Sequence, residues 1–330
     1  MNNFLMIKHV RVFFISALTA MSIVSCTNDP KPSPKTEISD PKSEIYTPVS
    51  PNFNADSAYY FVKTQVDFGP RVTNSEASKK CGDWLVKELK KYTDNVIEQK
   101  TVITNFDGNK LNARNIIAEI NPKASKRILL SAHWDSRDRA DKDNVDVNKA
   151  ILGANDGASG VGVLIEIARI IKSNPITIGI DIVLFDAEDL GNNQPNTYCL
   201  GSQYWAANLH RQGYKAEYGI NLDMVGASNA FFGWEGNSLQ YAKPILEKVW
   251  GTAHNIGSGK YFNYTQVGGI DDDHLYVNRA GIPTIDIIHF DATGSFPDHH
   301  HTHKDNMNVI DRNTLKAVGQ TVLEVLYNEK

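Results

Sequence analysis

Five short segments of this chain put carboxylates and imidazoles where they could grip a metal ion or move a proton. An apolar run, Leu129-Leu130-Ser131-Ala132, ends in His133-Trp134-Asp135. Gly153-Ala154-Asn155-Asp156-Gly157-Ala158-Ser159-Gly160 opens a strongly apolar stretch. Leu184-Phe185 gives way to Asp186-Ala187-Glu188-Asp189, and Ile220-Asn221-Leu222 to Asp223. His299-His300-His301-Thr302-His303-Lys304-Asp305-Asn306 is a dense imidazole cluster. Each has an ordinary alternative. Asp156 could cap a helix, Glu188 and Asp189 could sit in a solvated loop, and Asp223 could end a strand in water. The histidines could lie exposed. Glycines on both sides of Asp156 argue against a plain cap, because they allow close approach to the backbone. Together the segments supply imidazole and carboxylate donors without thiolates. Three such ligands and an open position are the pattern of catalytic zinc. Where the strand ends, Glu188 and Asp189 can face one cleft in different roles, one on metal and one on protons.

The elements that must position these residues alternate between helical and strand periodicity. Residues 56–66 and 75–91 read as amphipathic helices separated by Gly69-Pro70-Arg71. Residues 96–102, 113–120 and 127–132 read as strands. Residues 157–172 form a helix with Val161, Leu164, Ile165, Ala168 and Ile171 on its apolar face. Residues 178–185 are apolar apart from Asp181, as in a strand covered on both faces. A helix near 203–210, strands at 218–222 and 282–289, and a closing helix at 313–327 follow. This alternation predicts one α/β domain with helices on both faces of the sheet. The candidate acids and histidines then gather where strands end, the rim at which open α/β sheets bind ligands.

The chain has 330 residues and a net charge of −4, without the basic excess of a nucleic-acid binder. Lys8 and Arg11 precede an uncharged stretch, Val12 to Val24, too short to span a bilayer comfortably. Residues 1–25 read as a secretory signal peptide, and Ile23-Val24-Ser25-Cys26 is similar to a bacterial lipobox with Cys26 as the lipidated residue. Residues 27–52, rich in Pro, Ser and charge, read as a flexible tether, leaving 53–330 as the folded domain. The expectation is an exported protein, lipid-anchored to a bacterial membrane and facing the periplasm. Cys81 and Cys199 lack metal-ligand spacing, and pairing between them is left open, as is oligomeric state.

In order, His133-x-Asp135, Asp156-Gly157-Ala158-Ser159-Gly160, Glu188-Asp189, Asp223 and His301-Thr302-x-x-Asp305-Asn306 resemble the zinc aminopeptidase clan. Within it, His133-Trp134-Asp135-Ser136-Arg137, Leu222-Asp223-Met224-Val225-Gly226-Ala227 and Asp272-Asp273-His274 are similar to the glutaminyl cyclases, as found in lipoproteins of Bacteroidetes-type bacteria. The resemblance runs from about Phe53 to the C-terminus. It implies a three-layer α/β/α fold with a mixed, mostly parallel sheet. It also implies one Zn2+ held by Asp156, Asp189 and His301, with Glu188 as proton shuttle. Asp223 and Asp272 would hold the substrate, a peptide with N-terminal glutamine. Many cyclases carry tryptophan just before the histidine ligand, where this chain has His300. Trp134, His274 and His300 are candidate substrate contacts, and Trp205, Trp234 and Phe296 are further candidates for an apolar wall.

Two reactions suit this ligand set. A peptidase must make hydroxide from water, which two metals do well, and His133 and Asp223 could complete a second site. A cyclase needs no outside nucleophile: the α-amine attacks its own γ-carboxamide, already tethered to it. Cyclisation is the expected reaction, with a two-zinc aminopeptidase as the alternative and a non-catalytic peptide-binding relative behind both.

Overall fold

The computed structural model describes residues 46–192 and 194–329. The expected signal peptide, Cys26 and the expected tether up to residue 45 lie outside the described residues. In chain order the elements are α1 (Ala55–Asp67), α2 (Glu76–Leu89), β1 (Asn95–Thr104), β2 (Lys110–Ile120), β3 (Arg127–His133), α3 (Ala158–Ser173), β4 (Gly179–Phe185) and α4 (Leu200–Ala207). They continue with β5 (Tyr218–Asp223), β6 (Phe232–Trp234), α5 (Gly236–Asn255), β7 (Phe262–Gln266), α6 (Asp273–Arg279), β8 (Thr284–Ile288) and α7 (Arg312–Asn328).

Six strands form one mixed sheet in the order β1-β2-β4-β3-β5-β8. The pairs β1/β2 and β2/β4 are antiparallel, and β4/β3, β3/β5 and β5/β8 are parallel. Side chains alternate between the two faces, as strand geometry requires. Leu130, Ala132, Ile180, Ile182, Ile220, Leu222, Ile285 and Ile287 join one core with α1, α3, α5 and α7. Leu129, Ile117, Val183 and Phe185 turn the other way, onto Trp205 of α4 and Val277 of α6. This is the expected three-layer arrangement. Buried Asp181, the one charge in β4, is met by the Arg127 guanidinium and by the Tyr214 hydroxyl at 2.7 Å.

From β3 the chain passes through α3 to β4 on one side, then through α4 to β5 on the other. That reversal is a topological switch point, where a crevice opens at the carboxyl ends of the strands. His133, Phe185, Asp223 and Ile288 are the last residues of β3, β4, β5 and β8. Register brings His133 beside Phe185 and Asp223 beside Ile288, so the chemistry-bearing loops leave the sheet at one edge.

Three features differ from the sequence expectation. The helix expected near 203–210 begins at Leu200, and His210 leaves it to stack on Trp205 at 5.9 Å. The stretch from Phe232 to Arg279, for which no element was expected, holds β6, α5, β7 and α6. Pro244 and a non-helical Ala242 interrupt the periodicity of α5, and the other three elements are seven residues or shorter. Ordered packing also starts before Phe53: Glu324 of α7 accepts from Tyr46 Oη (2.6 Å), Val49 N (3.0 Å), Ser50 N (2.9 Å) and Ser50 Oγ (2.6 Å). Cys81 and Cys199 are both free and buried.

Candidate metal centre and catalytic cleft

The switch point gathers the residues singled out from the sequence. His301 Nε2 lies 3.2 Å from Asp189 Oδ1 and 3.7 Å from Asp156 Oδ2. His300 Nε2 also stands 3.7 Å from Asp156 Oδ2. On the other side of Asp156, His133 Nε2 is 3.0 Å from its Oδ1 and 3.2 Å from Asp223 Oδ1. Asp156 therefore sits between two imidazole groups, and it caps no helix. The N-cap position of α3 falls on Gly157, with no side-chain cap. All of these side chains are buried, and Asp189 Oδ2 is enclosed with no hydrogen-bond partner. A buried, orphaned carboxylate oxygen among N and O donors fits a divalent cation of the zinc type.

Backbone anchors fix the donors. Asp135 accepts from the amides of Glu188 and Asp189, both at 3.1 Å, and so ties the end of β4 to the end of β3. Asp305 does the same for the amides of Asn155 (2.7 Å) and Asp156 (3.1 Å). Buried Arg71, from the Gly69-Pro70-Arg71 turn, donates to the carbonyls of Trp134, Leu152 and Gly153. A Cβ on Gly157 would stand 2.4 Å from His133 Nε2 and from the His133 carbonyl oxygen. Glycine here is a condition of the contact between Asp156 and His133.

A cavity of about 380 Å³ adjoins these donors. Glu188, Asp223 and Asp272 line it with Asp156, Asp189, His300 and His301, and Ile270, Ile288, Phe290 and Phe296 supply apolar wall. His300 packs on Phe296 with ring centroids 4.2 Å apart and so forms part of that wall. Asp272 is also the N-cap of α6, bonding to Asp273 N, and its Oδ2 accepts from Asn221 Nδ2 at 3.1 Å.

Two expected substrate contacts lie elsewhere. Trp134 is buried outside this cavity, with its indole N–H donating to the Arg114 carbonyl. Tryptophan at the end of a strand covered on both faces packs inward. His274 is fully buried on α6, 3.0 Å from Glu235 Oε2 and 3.5 Å from Asp286 Oδ2. It supports the helix that carries Asp272. Trp205 is core, and Trp234 packs on Tyr264 at 5.5 Å. Asp141 and Lys142 also line the cavity although sequence pointed to a solvated loop there; spacing carries no signal for contacts some 160 residues away.

Backbone strain marks the same place. Apart from Asn and Asp, the described non-glycine residues with left-handed φ are Ala187, Cys199, Met224 and His301. Ala187 precedes Glu188, Met224 follows Asp223, His301 is a candidate ligand, and Cys199 Sγ lies 3.2 Å from Glu188 Oε1. Such outliers persist where surrounding structure over-determines them, typically at active sites.

Electrostatics separate the acids. Burial raises the Glu188 carboxyl well above the carboxylate range; His133 opposes this and Asp189 and Asp272 reinforce it. Burial lifts Asp223 to about 7, partly offset by its bond to His133. Asp156 is held below the usual range because the bond and charge of His133 outweigh burial. Burial disfavours charge on His301, but the carboxylates of Asp189 and Asp141 prevail and lift it to about 9. Groups with divergent proton affinities in one cleft are the signature of acid–base work.

The sequence profile of peptidase family M28 matches residues 115–326. The chain belongs to this family. Its fold superposes on a Zn-dependent exopeptidase from Parabacteroides distasonis with a TM-score of 0.83 at 53% identity, covering 85% of this chain and 100% of that one. A glutaminyl cyclase from Bacteroides thetaiotaomicron, crystallised with N-acetylhistamine, gives 0.83 at 51% identity with the same coverage. Aminopeptidase YwaD of Bacillus subtilis is 30% identical over 224 residues, which are 65% of this chain and 44% of that protein.

Proposed function

We propose that this M28 protein is a zinc-dependent glutaminyl-peptide cyclotransferase, turning the N-terminal glutamine of peptides and proteins into pyroglutamate with release of ammonia. The observation that carries this reading is the small cleft in which Glu188, Asp223 and Asp272 face the donor set. Three carboxyl groups beside a short apolar wall suit a substrate that brings an α-amine, reacting in its neutral form, and one uncharged amide side chain. Asp156, Asp189 and His301 would hold the ion, the first two as anions and His301 through Nε2. When bound, zinc supplies Lewis acidity toward the γ-carboxamide carbonyl.

The protein's own groups do the remaining work. Asp223 and Asp272 accept hydrogen bonds from the α-amine and orient it toward the γ-carbon. Glu188 takes a proton from that amine as the new C–N bond forms. It returns the proton to the amide nitrogen as the old C–N bond breaks and ammonia leaves. No water is consumed. A buried carboxyl with raised proton affinity suits a carrier that must both accept and deliver. The apolar wall excludes water that would otherwise compete.

The test is a Gln-initiated peptide incubated with the zinc-loaded protein. Cyclisation removes the mass of one ammonia and liberates it, whereas release of free glutamine would overturn the reading. Glu188→Gln should cut turnover by about 10²–10⁴-fold with zinc still bound; full activity would remove Glu188 from the proton path. The cluster of His133, Asp156 and Asp223 favours a second reading, a two-metal aminopeptidase, because all three lie within reach of one further ion. Two zinc ions per folded chain would support it.

We propose that the chain is exported and lipid-anchored through Cys26 on the periplasmic side. Its N-terminal sequence supports this, and labelling with a fatty acid that is lost on Cys26→Ala would test it. No described helix is long and apolar enough to cross a membrane.

A further inference from the structure

The loop after the first motif reaches back over the histidine cluster. Lys142 N donates to the His301 carbonyl at 3.2 Å and His303 N to Asp143 Oδ2 at 2.9 Å, so loop and cluster are tied. Two adjacent side chains then meet two adjacent imidazoles. Asp141 Oδ1 faces His301 Nδ1 at 3.5 Å. Lys142 Nζ lies 2.7 Å from His300 Nδ1. Arg137 grips Asp141 with two bonds, at 2.7 and 2.6 Å, and also donates to Asp189 Oδ1 at 3.0 Å.

The partners have opposite demands. A carboxylate accepts, so opposite Asp141 the neutral His301 ring carries its proton on Nδ1 and presents the Nε2 lone pair toward Asp156 and Asp189, as a metal would require. An ammonium only donates, so opposite Lys142 the His300 Nδ1 is the acceptor and the ring proton moves to Nε2. A protonated Nε2 cannot ligate, although it stands as close to Asp156 Oδ2 as its neighbour does, at 3.7 Å in both cases. We propose that Asp141 and Lys142 are positioning residues that assign the two neighbouring histidines different jobs. Asp141 makes His301 the metal donor, and Lys142 withholds His300 from the metal and leaves it as cleft wall. Arg137 sets the two carboxylates, Asp141 and Asp189, on either side of His301. This rests on the zinc site proposed above.

Zinc affinity, measured by competition with a chromophoric chelator, tests it apart from turnover. Wild-type protein should bind zinc, and failure to do so would sink the zinc site itself. With wild-type binding established, Asp141→Ala should weaken affinity about 10–100-fold, the usual effect of losing the carboxylate behind a ligating imidazole. His301→Ala should bind poorly, and Lys142→Met added to it should recover affinity by freeing His300. Removing His300 as well should abolish that recovery. Nitrogen-15 imidazole spectra of the metal-free protein should show His300 protonated on Nε2. Unchanged affinity in Asp141→Ala, no recovery in the double variant, or a proton on His300 Nδ1 would each overturn the proposal.

Discussion

His301 illustrates how much one side chain depends on what faces it. Its imidazole holds a proton to about 9 in the metal-free protein, because Asp189 and Asp141 outweigh the effect of burial. A zinc ion needs Nε2 unprotonated, so metal and proton compete there. The sign follows: affinity should be greatest above about pH 9 and fall by up to about tenfold per unit as the pH drops below that value. Chelator competition between pH 6 and 10 measures this, and a flat profile would show that His301 does not ligate. At this scale the sequence was informative about residue type and much less so about contact. His133, Asp156, Glu188, Asp189 and Asp223 stood out because they end strands or open a helix; the histidines stood out by their density, and Asp272 and the choice of His301 among them came from the resemblance to the cyclases. Asp141 and Lys142 did not stand out, because nothing in a polar loop shows which distant cluster it folds over.

At the scale of elements, the junction between β3 and α3 matters most. Three anchors converge there: Asp305 on the backbone of Asp156, Arg71 on the preceding carbonyls, and Gly157 leaving room for His133. Gly157→Ala forces a Cβ to within 2.4 Å of a backbone oxygen, which cannot swing aside as a flexible side chain would. Overpacking of this kind costs about 1–3 kcal/mol. The variant should melt several degrees lower and bind zinc poorly; normal zinc binding would show that the junction can relax. The long periodic helices and the strands were readable from pattern, since each buries a continuous face. The segment between Phe232 and Arg279 was not. Its helix is kinked near Pro244, and its strands pair with each other outside the main sheet, so neither the 3.6-residue nor the two-residue period persists.

Across the whole molecule, α7 does two jobs. It closes the core on one sheet face, and Glu324 on it holds residues 46–50 by four hydrogen bonds. Burial would raise the Glu324 carboxyl, but the bonds from Ser50, Tyr46 and Val49 bring it down to about 2. A depressed carboxyl stabilises the fold above its unfolded value, near 4.3, and that contribution disappears as the pH falls toward 2. Glu324→Ala should therefore lower stability at neutral pH by about 2 kcal/mol. The difference from wild type should narrow in acid. Denaturant titrations at pH 7 and pH 3 measure both, and an equal gap at the two values would contradict the assignment. Composition placed these residues in the tether because they continue a stretch rich in Pro, Ser and charge. Their order comes from side chains of α7, Glu324 with Gln320 and Asn328, which no local window reveals.

The left-handed backbone at Ala187, Cys199, Met224 and His301 bears on how this chain could change over time. A screen for heat resistance would find relief at Ala187, where glycine removes the steric conflict and only one methyl is lost; at buried Cys199 and Met224 the same change would empty packed space. The substitution at Ala187 would loosen the loop that aims Glu188. Lineages selected only for persistence would drift toward glycine at this position and lose turnover before they lost the fold. A relative that had kept the fold and abandoned the chemistry would then be recognisable first by its backbone at Ala187, before any ligand had been replaced.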